Sequence, residues 1–196
     1  MIEPWKRIET EDLNDYRIFR TRRDRSVSPD TGIAHDFYVI ESNDWINVIP
    51  VTPDEQVIMI RQYRHGIRQN TLEIPGGICE EDETPVEAAT RELLEETGYT
   101  PEEMVPLGWV HPNPAIQENL CHIFLARNVR STSSPTPDET EELETIAVPM
   151  AEMGPRLAAG EFSHALVVTA FAQLLMTDLP EASTLRASWN GDDGVR

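Results

Sequence analysis

Gly77 to Tyr99 reads GICEEDETPVEAATRELLEETGY, and the rest of the chain is read outward from this stretch. Its second half predicts a helix with both ends marked. Thr84-Pro85-Val86-Glu87 forms a capping box with proline at the first helical position, so two backbone donors left open at a helix start are satisfied. Gly98 stands where a left-handed residue ends a helix. Val86, Ala89 or Thr90, and Leu93 recur at helical spacing and are expected to face inward. Glu92, Glu95 and Glu96, at i, i+3 and i+4, are expected on the other face. Like charges one turn apart cost about 0.2–0.5 kcal/mol per pair. Hard oxygen donors held at fixed spacing suit Mg²⁺ or Mn²⁺. The blander reading is a solvated acidic face laced by Arg91, four residues from both Glu87 and Glu95, and the spacing alone leaves both open.

Taken whole, the stretch resembles the Nudix box: glycine, five residues, glutamate, seven residues, then Arg-Glu-apolar-x-Glu-Glu-x-Gly-apolar. Gly77, Glu83, Arg91, Glu92, Leu93, Glu95, Glu96 and Gly98 occupy those positions without a gap, and Tyr99 stands where a plain aliphatic is more usual. The resemblance implies an α+β Nudix fold, a mixed sheet sandwiched between helices.

Composition bounds the rest. The chain has 196 residues, room for one domain with an extension, and a net charge of −19. Such acidity argues against nucleic acid or an anionic membrane as partner. An anionic nucleotide would need local arginines and metal to reverse the field. Two cysteines, Cys79 and Cys121, point to a reduced compartment and read as packing residues. No apolar leader is visible at the N-terminus, and Ala165 to Met176 is too short to span a bilayer, so a soluble, cytoplasmic protein is expected.

In chain order, residues 1–14 read as irregular. Tyr16 to Val27, His35 to Glu41 and Trp45 to Val51 read as a three-stranded antiparallel unit, which sets an N-terminal β unit at residues 1–51. Five arginines, Arg17, Arg20, Arg22, Arg23 and Arg25, gather there. Gln56 to Arg61 reads as a central strand, and Pro75-Gly76-Gly77 as the sharp bend before the helix. Met104 to Val110, Leu120 to Arg127 and Thr145 to Val148 read as strands. Pro149 to Ala159 reads as a helix stopped by Gly160, and a last helix capped by Ser163 runs to about Thr177. This places the hydrolase domain at 52–180 and leaves 181–196 as a mobile tail. Trp109 and Phe124 are assigned to the core.

The resemblance continues from Trp45 to Arg127. RQYRH at 61–65, LEIPGG at 72–77, HPNPAIQEN at 111–119 and the acidic run at 138–144 are similar to the ADP-ribose pyrophosphatase group of Nudix hydrolases. That group implies hydrolysis of a nucleoside diphosphate sugar and a homodimer that exchanges its N-terminal β unit. Carried over by position, it implies Glu92, Glu95, Glu96 and the Gly76 carbonyl as metal ligands, with Arg91 holding the glutamates. From the late acidic loop it implies Glu141 as a further ligand and Glu139 as the base that activates water. Glu142 or Glu144 could serve instead, and the loop also reads as merely solvated. Pro75-Gly76-Gly77 replaces the more usual Pro-Ala-Gly, and Pro114-Ala115 replaces a Pro-Gly common in ADP-ribose-preferring members.

For substrate contacts, Arg64 reads as a phosphate ligand or an exposed strand-end arginine. Glu73 orders water or a ribose hydroxyl, or else pairs with an arginine. Trp45 and Tyr38 read as base-stacking aromatics at a dimer cleft or as core. Asn113 and Asn119 face the substrate or form turns. Three functions follow: hydrolysis of a nucleoside diphosphate sugar to a nucleoside monophosphate and a sugar phosphate, housecleaning of nucleoside triphosphates or dinucleotides, and non-catalytic sensing. The N-terminal unit weighs against the second, and the complete set of box glutamates against the third.

Overall fold

The computed structural model describes residues 2–137 and 142–189. In chain order the strands and helices are β1 (Lys6–Asp15), β2 (Arg20–Val27), β3 (Ala34–Glu41), β4 (Trp45–Val51), β5 (Gln56–Arg64), β6 (Gln69–Glu73), β7 (Gly76–Ile78), α1 (Pro85–Thr97), β8 (Tyr99–Thr100), β9 (Glu103–Val110), β10 (Cys121–Arg127), β11 (Arg130–Ser131), β12 (Leu143–Pro149), α2 (Met150–Ala158), α3 (Ala165–Leu175) and α4 (Pro180–Trp189). They fall into two compact units. One takes the N-terminal residues to Asp44 with Val110–Leu120, and the other takes Trp45–Trp109 and the chain from Cys121 onward.

The first unit holds an antiparallel sheet in the order β1-β2-β3. Its outer strand falls where an irregular segment was expected. All ten residues of β1 are exposed and lack the alternation that marks a half-buried strand, so pairing and charge make it a strand. Arg23 reaches Glu11 at 2.8 Å, and Asp24 accepts from Thr10 at 2.9 Å. Arg22 is the centre of this unit, buried and bonded to Asp24 (3.0 Å), Glu118 (2.9 Å) and Glu41. The β2 arginines therefore act as the sheet's internal counter-ions.

Trp45 to Val51, expected as the third strand of that sheet, lies in the other one. Beyond Trp45 every residue of β4 is buried, as befits a central strand covered on both faces, whereas a sheet-edge strand would alternate. It pairs in parallel with β10 and antiparallel with β7, in a mixed seven-stranded sheet whose main path is β12-β5-β4-β10-β9. Helix α1 covers one face, where Ile46, Val48, Ile58, Ala88, Ala89, Leu93, Phe124 and Ala126 make the core. Helix α3 packs against β4 and β10, with Val167, Ala170, Phe171 and Leu174 buried.

Several local expectations change. Trp109 is 56% exposed because β9 is an edge strand. His164, not Ser163, is the N-cap of α3, and it makes no side-chain capping bond. Residues 181–189, expected in a mobile tail, belong to α4 instead. Ala182 and Leu185 are fully buried, Arg127 holds Glu181 at 2.7 Å, and Gly154 of α2 lets the Trp189 backbone approach where a Cβ would stand 2.5 Å from its nitrogen. Residues 190–196 lie outside the described part. No single helix among the described residues is long and apolar enough to cross a membrane.

Helix α1 starts on the complete Thr84–Glu87 capping box and ends on Gly98 at φ 76°. A Cβ there would lie 2.2 Å from the Ser133 carbonyl oxygen. Gly98→Ala is expected to lose about 2 kcal/mol or more of stability, from left-handed strain plus this clash, as read by denaturant unfolding.

Candidate active site

The bend that precedes α1 is built by strand pairing. Gly76 and Gly77 stand opposite Asn47 and Ile46 in the β4–β7 ladder, and the Val48 N–H donates to the Pro75 carbonyl at 2.9 Å. Gly76 is required by close approach to backbone, and Gly77 leaves the space that the Glu92 carboxylate fills. A Cβ on Gly77 would lie 2.1 Å from Glu92 Oε1, and one on Gly76 would lie 2.4 Å from both Asn47 Oδ1 and the Ile46 carbonyl oxygen.

The helix meets this bend with two carboxylates. Glu96 is 2% exposed and accepts from the Gly76 N–H at 2.9 Å. It thus belongs to the inner side of α1 with Ala88, Ala89, Leu93 and Thr97, while Val86, expected inward, is exposed. The reason is electrostatic: a backbone donor from the bend supplies what an inward carboxylate needs. Glu92 lies against Gly77, and Glu95 is more open to solvent.

Arg91 joins these acids to the loop before the helix. Its Nε and Nη2 donate to the two oxygens of Glu83, each at 2.8 Å, in a bidentate pair. Its Nη1 donates to Glu92 (2.9 Å) and Glu95 (3.0 Å), and Nη2 also reaches the Ile78 carbonyl at 3.1 Å. The hydrogen bonds from Arg91 hold the Glu83 carboxyl below its usual range against the opposing effect of burial. Glu87, a candidate partner for Arg91 by spacing, serves the capping box instead.

Arg64 and Glu73 form a second pair on the β5–β6 hairpin. The guanidinium donates to both carboxylate oxygens, at 2.8 and 2.7 Å, and the Thr71 hydroxyl donates at 2.5 Å. Burial pushes the Glu73 carboxyl up, but the bonds from Arg64 and Thr71 outweigh it and the net shift is down. Burial pushes His164 below its ordinary value, Glu73 opposing and Arg64 adding to the effect.

Of the residues singled out from sequence, Gly76, Arg91, Glu92, Glu95 and Glu96 come together at the bend. Arg64 and Glu73 bind each other. Trp45 stands half-buried at the start of β4, opposite Ile78. In the first unit the Asn113 carbonyl accepts from Ile116 and Gln117, a turn, and Asn119 is buried with its Oδ1 unpartnered among the described residues. Glu139 and Glu141 lie outside the described residues.

Glu92, Glu96 and the Gly76 carbonyl are hard oxygen donors at one bend, and in kind they fit a divalent cation. They are a partial set: among the described residues no three His, Cys, Asp or Glu side chains group as metal ligands. Sequence reading passed over Asn47, whose one signal was a polar residue inside the apolar run WINVIPV.

Glu73 carries a pH prediction. Its folded-state pKa is depressed, so its stabilisation is present above the range where an ordinary carboxyl titrates and is lost as pH falls through the depressed value. Arg64→Met, which strands a buried carboxylate, is expected to cost about 2–3 kcal/mol near neutral pH. Urea unfolding across pH should show this deficit shrinking in acid, as Glu73 takes up a proton.

A family model for the NUDIX domain matches residues 44–171. The chain is 30% identical over 122 residues to an ADP-ribose pyrophosphatase of Bacillus subtilis, covering 62% of this chain and 66% of that protein. It is 34% identical over 139 residues to an ADP-sugar pyrophosphatase of Mus musculus, covering 65% of this chain and 63% of that one. The matched segments thus span just under two thirds of either relative's length. A crystal structure of an ADP compounds hydrolase superposes with a TM-score of 0.78 at 22% identity, covering 89% of this chain and 94% of that one, a likeness of fold. With the complete box on a capped helix against its glycine bend, the chain belongs to the Nudix family.

Proposed function

We propose that the chain hydrolyses the diphosphate bond of a nucleoside diphosphate sugar, ADP-ribose-like, giving a nucleoside monophosphate and a sugar phosphate in a reaction that needs Mg²⁺ or Mn²⁺. The observation that carries this reading is the meeting of Glu92 and Glu96 at the Gly76–Gly77 bend, under the hold of Arg91. The similarity to ADP-ribose and ADP-sugar pyrophosphatases supports the substrate class.

A divalent cation held by Glu92, Glu96, the Gly76 carbonyl and, in this reading, Glu95 and Glu141 would neutralise diphosphate charge and acidify a water for attack. The chain's own groups do the rest. The Gly76 N–H fixes the rotamer of Glu96, so that carboxylate needs no reorganisation when substrate arrives. Arg91 keeps Glu92 and Glu95 close despite their like charge, and Glu83 keeps Arg91 in place. Arg64, oriented by Glu73, would meet a phosphate oxygen, while Trp45, Asn113 and Asn119 would contact base or sugar. Glu139 would take the proton of the attacking water, placing hydroxide on phosphorus as the phosphate leaving group departs.

The partner in this reading is a second copy of the chain. The β1-β2-β3 unit exposes Trp5, Ile8, Leu13, Tyr16, Ile18, Ile33, Phe37 and Tyr38, an apolar population that pairing with another such unit would cover. The working compartment in this reading is the cytoplasm, where the buried thiols of Cys79 and Cys121 would stay reduced.

A panel of ADP-ribose, GDP-mannose, UDP-glucose, NADH and nucleoside triphosphates, with and without Mg²⁺, should show turnover of a diphosphate sugar that ceases on chelation. Triphosphate cleavage alone would overturn the substrate class. Glu92→Gln should lower kcat by two or more orders of magnitude with an unchanged circular dichroism spectrum, and retained turnover would refute the ligand assignment. Light scattering should give twice the chain mass, whereas a monomer would remove the shared cleft.

A further inference from the structure

The Nudix box accounts for the acids of α1 but not for Asn47. This residue lies in the middle of β4, flanked by Ile46 and Val48, and is more than nine-tenths buried. Two observations set it apart. Its Oδ1 occupies the space beside Gly76 where a Cβ would stand, 2.4 Å from that ideal position. Its Nδ2 is buried with no hydrogen-bond partner among the described residues. A buried amide donor left open in a central strand costs stability, and an apolar residue would suit the site better for folding alone. The position opposite Asn47 in the ladder is the peptide whose N–H holds Glu96 and whose carbonyl is a candidate ligand.

We propose that Asn47 is a positioning residue of the cation site. It acts through Gly76: the carboxamide packs where a side chain at 76 would otherwise go and sets the attitude of the Gly76 peptide. Its open N–H completes the site by donating to an oxygen that arrives with the hydrated cation, a water or a phosphoryl oxygen. This accounts for glycine at 76 in place of the usual alanine, since a Cβ there would strike both Asn47 Oδ1 and the Ile46 carbonyl. It also accounts for a polar residue kept in the core at a cost, because partners of this kind around a metal site are typically worth 10–100-fold in affinity.

The proposal rests on the cation reading above, and the experiment separates the two. Mn²⁺ alone is titrated into the full-length protein, with the free aquo ion followed by electron paramagnetic resonance. Wild type, Glu96→Gln, Asn47→Val and Asn47→Ser are compared, and their melting temperatures are taken in chelator. The expected result is about tenfold or weaker Mn²⁺ binding by Asn47→Val, with a metal-free melting temperature equal to or above wild type. Asn47→Ser, which keeps a hydrogen-bonding group, should recover part of the affinity. If Asn47→Val binds Mn²⁺ like wild type while Glu96→Gln does not, the role of Asn47 is overturned and the cation site stands. If wild type itself fails to bind Mn²⁺, both fall. If Asn47→Val melts well below wild type in chelator and Asn47→Ser recovers melting without affinity, Asn47 is a packing residue and the proposal is again overturned.

Discussion

Three glutamates, Glu83, Glu92 and Glu95, gather on one guanidinium beside the glycine bend. Arg91 spends both faces of its fork, two bonds on Glu83 and one each on Glu92 and Glu95, with a fifth bond to the Ile78 carbonyl. Loop and helix are thereby fastened through a single cation. The guanidinium offsets the mutual repulsion of the carboxylates, which is a penalty in an isolated helix. The backbone before α1 comes close to β4 at Gly76, where a Cβ would strike the Ile46 carbonyl oxygen.

Rigidity around that point is graded. Glu96 is buried and pinned by the Gly76 N–H, and the helix beneath it is closed by a capping box and a left-handed glycine. Glu95 is far more open. The carboxylates nearest the bend are thus the most firmly held. The same strategy recurs in the first unit with different chemistry. Arg22 gathers Asp24, Glu41 and Glu118, tying the loop of residues 110–120 to β2 and β3 through a buried charge. In a chain of net charge −19, Arg22 and Arg91 each bring three acids together.

The bend and helix were legible because their determinants are local. Capping, the terminal glycine and the box spacing all lie within 23 consecutive residues, and the structure places them as read. The ends of the chain were less legible. β1 has no apolar period, so only the partner strand and its arginines make it a strand. Helix α4 is weakly amphipathic, and what holds it is Arg127 and the close approach at Gly154, both distant in sequence. Trp45 to Val51 read as a strand from its residues, but which sheet receives it depends on β7 and β10.

The amino-acid sequence by itself determined the family, the capped helix and the glycine bend before it. Each follows from spacing or from the conformational rules of single residues. Tertiary structure alone decided that Glu96 faces inward, that Arg91 pairs with Glu83 rather than Glu87, that Arg64 and Glu73 satisfy each other, and that Asn47 stands behind Gly76. Those choices depend on which strands lie side by side. Burial and ion pairing are properties of neighbours in space, and no periodicity along one segment can name a neighbour from another.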